Sequence, residues 1–183
     1  MVRQRIAVIG GVAAGPAAAA HAHRVDPDAE VVLFEKGPHI SYGACEIPYY
    51  VSDRIESADE LVVFSPGDFE QEKGVEVRIQ HTVTDIRPER NRLVYRVAST
   101  GRSQEERFDK FILATGARAD RPDIAGADAV NCFAVRTLED AIDIKNYVTS
   151  RRVRHAVILG GGYIGVEMAE AMVNLKIRVT LLE

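Results

Sequence analysis

One pattern occurs twice along the chain and constrains its fold more than any other feature. Residues 5–9 (RIAVI) are a short apolar run with branched side chains, the signature of a buried parallel strand. The run enters Gly10-Gly-Val-Ala-Ala-Gly15. A small-residue helix from Pro16 to about Arg24 follows, then the Asp26-Pro-Asp28 turn and a second strand (EVVLF, 30–34) that ends at Glu35. Residues 155–159 (HAVIL), the turn Gly160-Gly-Gly-Tyr-Ile-Gly165, a helix to about Leu175 and a strand over 178–182 ending at Glu183 repeat the order. Strand, glycine turn, helix, strand and terminal acid form a unit suited to a dinucleotide. The glycines let backbone approach a pyrophosphate, the helix N-terminus supplies positive potential, and the acid accepts bonds from ribose hydroxyls. The second turn is a complete GxGxxG, whereas Val12 stands at the second glycine of the first. Two such units imply two dinucleotides.

Between them the chain reads as follows. Ser65-Pro66 is a helix start, the helix runs through about Lys73, and Gly74 ends it. Residues 75–79, 81–86, 92–98 and 106–113 read as strands, turned at Thr100-Gly101, which predicts an antiparallel meander over about 75–113. The last of these runs into Ala114-Thr-Gly116, a small-residue turn able to lie close to a cofactor. Residues 118–128 are a polar connector, and Cys132 is expected in a buried strand with a structural role. Thr137 caps a helix from Leu138 to about Ser150, with Glu139 and Asp140 in its first turn. The expected fold is α/β and Rossmann-like, with one nucleotide domain over 1–150 and a second beginning at 151. Two strands and one helix cannot cover both faces of a parallel sheet, so the second domain is expected to be incomplete and the sequence a piece of a longer protein.

The stretch Ser41-Tyr-Gly-Ala-Cys-Glu-Ile-Pro-Tyr-Tyr50 holds the candidate nucleophile, Cys45. Pro48 predicts the start of a short helix, with Cys45 just outside its positive end, where free N–H groups stabilise a thiolate. The alternative for such a residue is a small apolar filler in a turn. The two cysteines match no metal-ligand spacing and build no disulfide framework, so no metal is expected and a reducing cytoplasm fits. A net charge of −4 gives no reason to expect nucleic acid or an anionic membrane as partner. Arg3 and Arg5 before an apolar run, with Ala20-His21-Ala22 behind it, mimic a secretory signal. The run is interrupted by Gly10, Gly11, Gly15 and Pro16, and the glycine turn accounts for it better. No stretch reads as a membrane span.

Two nucleotide units, the first followed ten residues after its acid by an isolated cysteine, resemble the FAD-dependent pyridine nucleotide-disulfide oxidoreductases over the whole chain. The resemblance implies FAD contacts at Gly10, Val12, Ala13, Ala14, Gly15, Glu35 and Lys36, and at Ala114, Thr115 and Gly116. It implies NADH contacts at Gly160, Gly162, Tyr163, Ile164, Gly165, Glu167 and Glu183. Tyr163 is similar to the tyrosine that covers the flavin in these enzymes, and Glu167 to the carboxylate that orients the nicotinamide amide. Ser41-x-x-x-Cys45 followed by Ile47-Pro48-Tyr49-Tyr50 is similar to the family's single-cysteine branch. That branch holds coenzyme A-disulfide reductase, NADH-dependent persulfide reductase, NADH oxidase and NADH peroxidase. The words VIGGVAAG (8–15) are most similar to the first two, in which the second glycine is often replaced. Ile40 and Tyr50 leave no second thiol nearby, so the resolving thiol has to come from the substrate.

The resemblance thus implies an enzyme that passes electrons from NADH through FAD to Cys45 and a small disulfide or persulfide of coenzyme A type. Substrate contacts are implied at Arg24, Ser41 and Lys73, and the full-length form is implied to be a homodimer. Three positions depart from the branch. Ala44 and Glu46 flank the cysteine where asparagine and glycine are usual, and His21 replaces a glutamine. Glu46 sets a carboxylate beside the nucleophile, which disfavours an anionic substrate. Alternative readings are an NADH oxidase or peroxidase cycling through a Cys45 sulfenic acid, and a flavin-binding redox or interaction module without turnover.

Overall fold

The structure is a computed structural model describing residues 3–183. It divides into two compact units, Met1–Tyr42 with Val62–Gly116, and Gly43–Leu61 with Ala117–Glu183.

The first unit is built on a parallel sheet of β1 (Arg5–Ile9), β2 (Glu30–Phe34), β3 (Glu76–Arg78) and β7 (Lys110–Leu113), in the order β3-β2-β1-β7. Alternation along the strands sends side chains to two cores. Val8, Val31 and Leu33 meet Ala19 of α1 (Ala14–Val25) and Phe69 of α3 (Pro66–Lys73) on one face. Ala7, Ile9, Val32 and Phe34 meet Leu93, Tyr95 and Phe108 on the other. The second face is covered by an antiparallel meander of β4 (His81–Arg87), β5 (Arg92–Val97) and β6 (Ser103–Arg107). Phe34 anchors it, with ring centroids 5.1 Å from Tyr95 and 5.7 Å from Phe108. A buried aromatic of this kind is worth roughly 1.5–3 kcal/mol in transfer alone.

The meander is therefore shorter than the expected 75–113. Residues 76–78 pair in parallel with β2, and the single strand expected over 106–113 is two strands in different sheets. The break lies at Phe108-Asp109, where Asp109 exchanges bonds with the Arg5 backbone. Chemistry explains the division: SQEER suits a solvated edge, whereas KFIL suits a strand flanked by a core on either face.

A polar cluster closes the same interface. Glu106 accepts from Tyr95 Oη (2.6 Å), Arg78 Nη1 (2.6 Å) and Arg5 Nη2 (3.4 Å), and Arg5 also pairs with Glu30 at 2.6 Å. Burial works against the Glu106 carboxylate, but the hydrogen bonds from Tyr95 and Arg78 outweigh it and hold its pKa below the usual range. Burial first, and the bond to Glu106 second, push the Tyr95 hydroxyl up to about 12. Desolvation opposes the charge on Arg78, yet bonds to Glu76 and Glu106 leave its pKa raised.

The second unit holds α2 (Ile47–Val51), α4 (Leu138–Arg151), α5 (Tyr163–Asn174) and the parallel pair β8 (His155–Leu159) and β9 (Arg178–Leu182). Helix α2 packs on both α4 and α5. Thr137 and Asp140 form a capping box that starts α4 where the sequence places it. Cys132 departs from expectation: it is exposed, lies outside any strand, and its thiol meets the Gly126 carbonyl at 3.4 Å. The flanking apolar residues explain why. Val130 is 83 % exposed and Phe133, 40 % exposed, meets the Tyr147 ring at 5.2 Å, so among the described residues this short run joins no strand. Among the described residues no helix is long and apolar enough to cross a membrane.

Candidate functional site

In the first unit, the turn after β1 folds back on itself. Gly10 has φ +109°, and a Cβ there would lie 2.1 Å from the Ala114 carbonyl oxygen. The turn Ala114–Gly116 thus touches the glycine turn itself, tied by Ala114 N–H to the Ile9 carbonyl at 2.8 Å. A Cβ on Gly15 would fall 1.6 Å from the Gly10 oxygen, so the helix can start against the turn only with glycine there. Glu35 is 7 % exposed, and its carboxylate accepts from Gly11 N–H (2.6 Å) and Gly37 N–H (2.7 Å). One bond falls on each oxygen, which leaves acceptor capacity for ribose hydroxyls.

Helix α1 begins at Ala14, two residues earlier than expected. It has no side-chain cap and no acidic residue in its first turn. The same holds for α5 after the second glycine turn. In contrast, α3 and α4 are capped by Ser65 and Thr137 and carry acidic residues in their first turns. The two helices behind glycine turns therefore leave their N–H groups and positive ends open, which fits an anion such as a pyrophosphate.

The second unit repeats the geometry. Gly160 has φ +102°, a Cβ on Gly165 would fall 2.0 Å from the Gly160 oxygen, and Gly161 N–H donates to the Glu183 carboxylate. Gly160 N–H meets the Leu182 carbonyl at 2.8 Å, as Gly10 N–H meets that of Phe34 at 2.8 Å. The middle glycine is the exception. Gly162 has extended backbone, φ −67° and ψ 177°, and open space where a side chain would stand. That position tolerates a side chain, which is why Val12 can occupy it in the first turn. Tyr163 opens α5 and is 92 % exposed, with Ile164 beside it at 56 %.

Cys45 is exposed and lies within a 3-10 turn, Ala44–Glu46, that runs directly into α2. The helix starts at Ile47, one residue before the expected Pro48, so the cysteine sits in the entry turn rather than outside a helix end. The Glu46 carboxylate folds back over Gly43, where a Cβ would meet Oε2 at 2.8 Å. Helix α2 and the turn after it enclose with α5 a cleft lined by Pro48, Tyr49, Arg54, Glu167 and Glu170. The structure thus brings Glu167 beside the helix that follows the cysteine. Arg54 pairs with Glu170 across this cleft at 3.3 Å.

The remaining candidates lie in the first unit. Ser41 adopts φ +48°, uncommon for serine, and is held there by bonds from its N–H to Gly11 O and from Val63 N–H to its carbonyl, both 2.8 Å. Arg24 lies in the last turn of α1 and its guanidinium meets His21 Nδ1 at 2.6 Å, so the residue that replaces glutamine engages a candidate substrate contact. Lys73 ends α3 with its ammonium 4.7 Å over the Phe64 ring. The ends of α1 and α3 meet at His23 and Gly74, where a Cβ would fall 2.4 Å from the imidazole. Lys36 is exposed beside Glu35. Sequence reasoning missed Lys145, whose ammonium is tied to the turn after α2, because a lysine on an amphipathic helix reads as solvated.

Comparison with known proteins agrees with this geometry. The family model for pyridine nucleotide-disulphide oxidoreductases matches residues 4–183. Coenzyme A disulfide reductase of Staphylococcus epidermidis is 31 % identical over 176 residues, covering 96 % of this chain and 40 % of the relative. An NADH oxidase of Methanocaldococcus jannaschii is 33 % identical over 165 residues, covering 90 % of this chain and 37 % of the relative. The solved NAD-dependent persulfide reductase of A. fulgidus superposes with a TM-score of 0.90 at 33 % identity, covering 97 % of this chain and 33 % of that one. The chain spans about two fifths of the length of the relatives it matches in sequence. With two glycine turns, two terminal carboxylates and an exposed cysteine ahead of α2 in place, the chain belongs to the pyridine nucleotide-disulphide oxidoreductase family.

Proposed function

We propose that the protein containing this chain is a flavoprotein that reduces a small-molecule disulfide or persulfide of coenzyme A type with electrons from NADH. The observation that carries the reading is the duplicated arrangement of glycine turn, uncapped helix and terminal carboxylate, set in one chain with an exposed cysteine. Its similarity to a coenzyme A disulfide reductase and a persulfide reductase narrows the acceptor.

In this reading the open N-terminus of α1 holds the FAD pyrophosphate, with Gly10, Val12, Ala13, Ala14 and Gly15 supplying backbone. Glu35 accepts from the adenosine ribose, and Ala114–Gly116 complete the wall. Bound FAD supplies a two-electron relay between nicotinamide and thiol. The turn 160–165 and Glu183 hold NADH, Glu167 orients the nicotinamide amide, and the exposed Tyr163 gives way to it. The Cys45 thiolate attacks one sulfur of the disulfide and releases the other half as a thiolate. Two electrons from NADH then cleave the mixed disulfide, regenerating Cys45 and freeing the second thiol. Overall, NADH, a proton and one disulfide become NAD⁺ and two thiols. Arg24, Ser41 and Lys73 contact the substrate, and the full-length protein acts as a homodimer in the cytoplasm.

Similarity to an NADH oxidase favours one further reading, in which oxygen is the acceptor and Cys45 cycles through a sulfenic acid. Steady-state NADH oxidation by the full-length holoprotein, with coenzyme A disulfide and with oxygen alone, separates the two. Turnover that depends on the disulfide is the expected result, and equal rates without it would overturn the proposal.

A further inference from the structure

We propose that Lys145 is a positioning residue that holds the Cys45 segment in its working orientation, an inference that rests on the thiol chemistry proposed above. Lys145 projects from α4, and only 15 % of its side chain is exposed. Its ammonium lies 2.9 Å from Asp53 Oδ1 and donates to the carbonyls of Ile55 and Glu56 at 3.3 Å each. The Tyr50 ring centroid is 4.1 Å away. An ammonium has three donors, and three oxygens converge on it.

All four contacts lie within residues 50–56, the end of α2 and the turn that follows it. That helix has five residues, too few to hold itself in water. Its exit passes through Asp53 at φ +62°, a left-handed conformation uncommon outside glycine. Backbone bonds from Arg54 and Ile55 N–H to the Tyr49 carbonyl, at 2.9 and 3.2 Å, shape this exit, and Lys145 ties it to α4. At the other end Gly43 N–H bonds to the Leu61 carbonyl at 2.8 Å, and Cys45 lies between the two ties. Stability of an ion pair does not explain the arrangement, because Asp53 is 62 % exposed and such pairs are worth little. Three-point geometry does. A planar guanidinium holds its donors in one plane in a rigid fork and does not reproduce the tetrahedral spread of an ammonium's three donors.

The test uses full-length holoprotein carrying Lys145→Met, Lys145→Arg or Asp53→Asn. Amide exchange over residues 46–56 should quicken at least about tenfold in Lys145→Met while β1 and β2 keep their protection. Turnover with NADH and coenzyme A disulfide should fall about tenfold in kcat with KM for NADH unchanged. NADH oxidation with ferricyanide, which takes electrons without the thiol, should be unaffected. Lys145→Arg should behave like Lys145→Met, and Asp53→Asn, which keeps one amide oxygen, should lie between it and wild type. Unchanged exchange, equal loss of both activities, or rescue by arginine would overturn the inference. Should Lys145→Met not yield soluble protein, Lys145→Arg and Asp53→Asn are read by the same criteria. A wild type without disulfide turnover would defeat the proposed function instead, and the exchange result would still decide whether Lys145 ties down the segment.

Discussion

Gly11 N–H donates to the buried Glu35 carboxylate at 2.6 Å, so the acid that ends the second strand also braces the glycine turn. Replacing Glu35 with glutamine puts an NH₂ where one of two N–H donors needs an oxygen, and removes the charge from any bond to ribose. A charge-assisted bond is typically worth ~1.5–3 kcal/mol. Titration of the apo full-length protein with FAD should therefore show affinity lower by about tenfold or more in Glu35→Gln. Wild-type affinity in that variant would mean that Glu35 braces the turn without touching the cofactor.

The two outer glycines of each turn and the middle one answer to different constraints. Gly165→Ala would press a Cβ to 2.0 Å from the Gly160 oxygen and should cost about 2 kcal/mol or more in denaturant unfolding. Gly162→Ala has room and ordinary backbone, and should leave stability unchanged or raised by up to about 1 kcal/mol. Equal destabilisation by both would contradict the explanation given for Val12.

With Glu183 in its proposed ribose-binding role, its carboxylate, which accepts from Gly161 N–H at the C-terminal end of β9, predicts a cofactor preference. A 2′-phosphate placed there meets like charge and loses ribose bonds. Arg178 stands at the other end of the strand beside His155, about five residues away at ~3.3 Å each. NADH should be preferred over NADPH by at least about tenfold in kcat/KM, equivalent to ~1.4 kcal/mol. Matched measurements giving equal efficiencies would remove Glu183 from that role.

Tyr95 gives the first unit an alkaline limit. Its hydroxyl is raised from 10.0 to about 12, so the folded state keeps a proton that the unfolded chain gives up. Its contribution is fully present below pH about 10 and is lost as pH rises toward about 12. Unfolding midpoints of wild type should therefore fall steeply across that window, and Tyr95→Phe should flatten the slope. Identical slopes would show that the hydroxyl does not couple to folding.

Local chemistry made much of the architecture legible. The apolar run at Val31–Phe34, the glycine turns, the cap at Ser65 and the capping box at Thr137 each follow from a few adjacent residues. What was not legible depends on distant partners. Lys110–Leu113 leaves the meander because β1 offers it a parallel edge. Cys132 is exposed because its neighbours join no strand among the described residues, and Lys145 is tied down by a turn ninety residues earlier in the chain. Arg24, Ser41 and Lys73 stand out in the sequence through resemblance alone. Their geometry adds that Ser41 is held by the glycine turn and Arg24 by His21.

The most direct test follows NADH oxidation at saturating coenzyme A disulfide in full-length holoprotein, comparing wild type with Cys45→Ser and Cys132→Ser. Both thiols are exposed, so exposure alone does not separate them. The expected result is loss of disulfide turnover in Cys45→Ser and wild-type turnover in Cys132→Ser, with ferricyanide-linked NADH oxidation intact in both. Full disulfide turnover without Cys45, or its loss without Cys132, would contradict the assignment of Cys45 as the electron-accepting thiol.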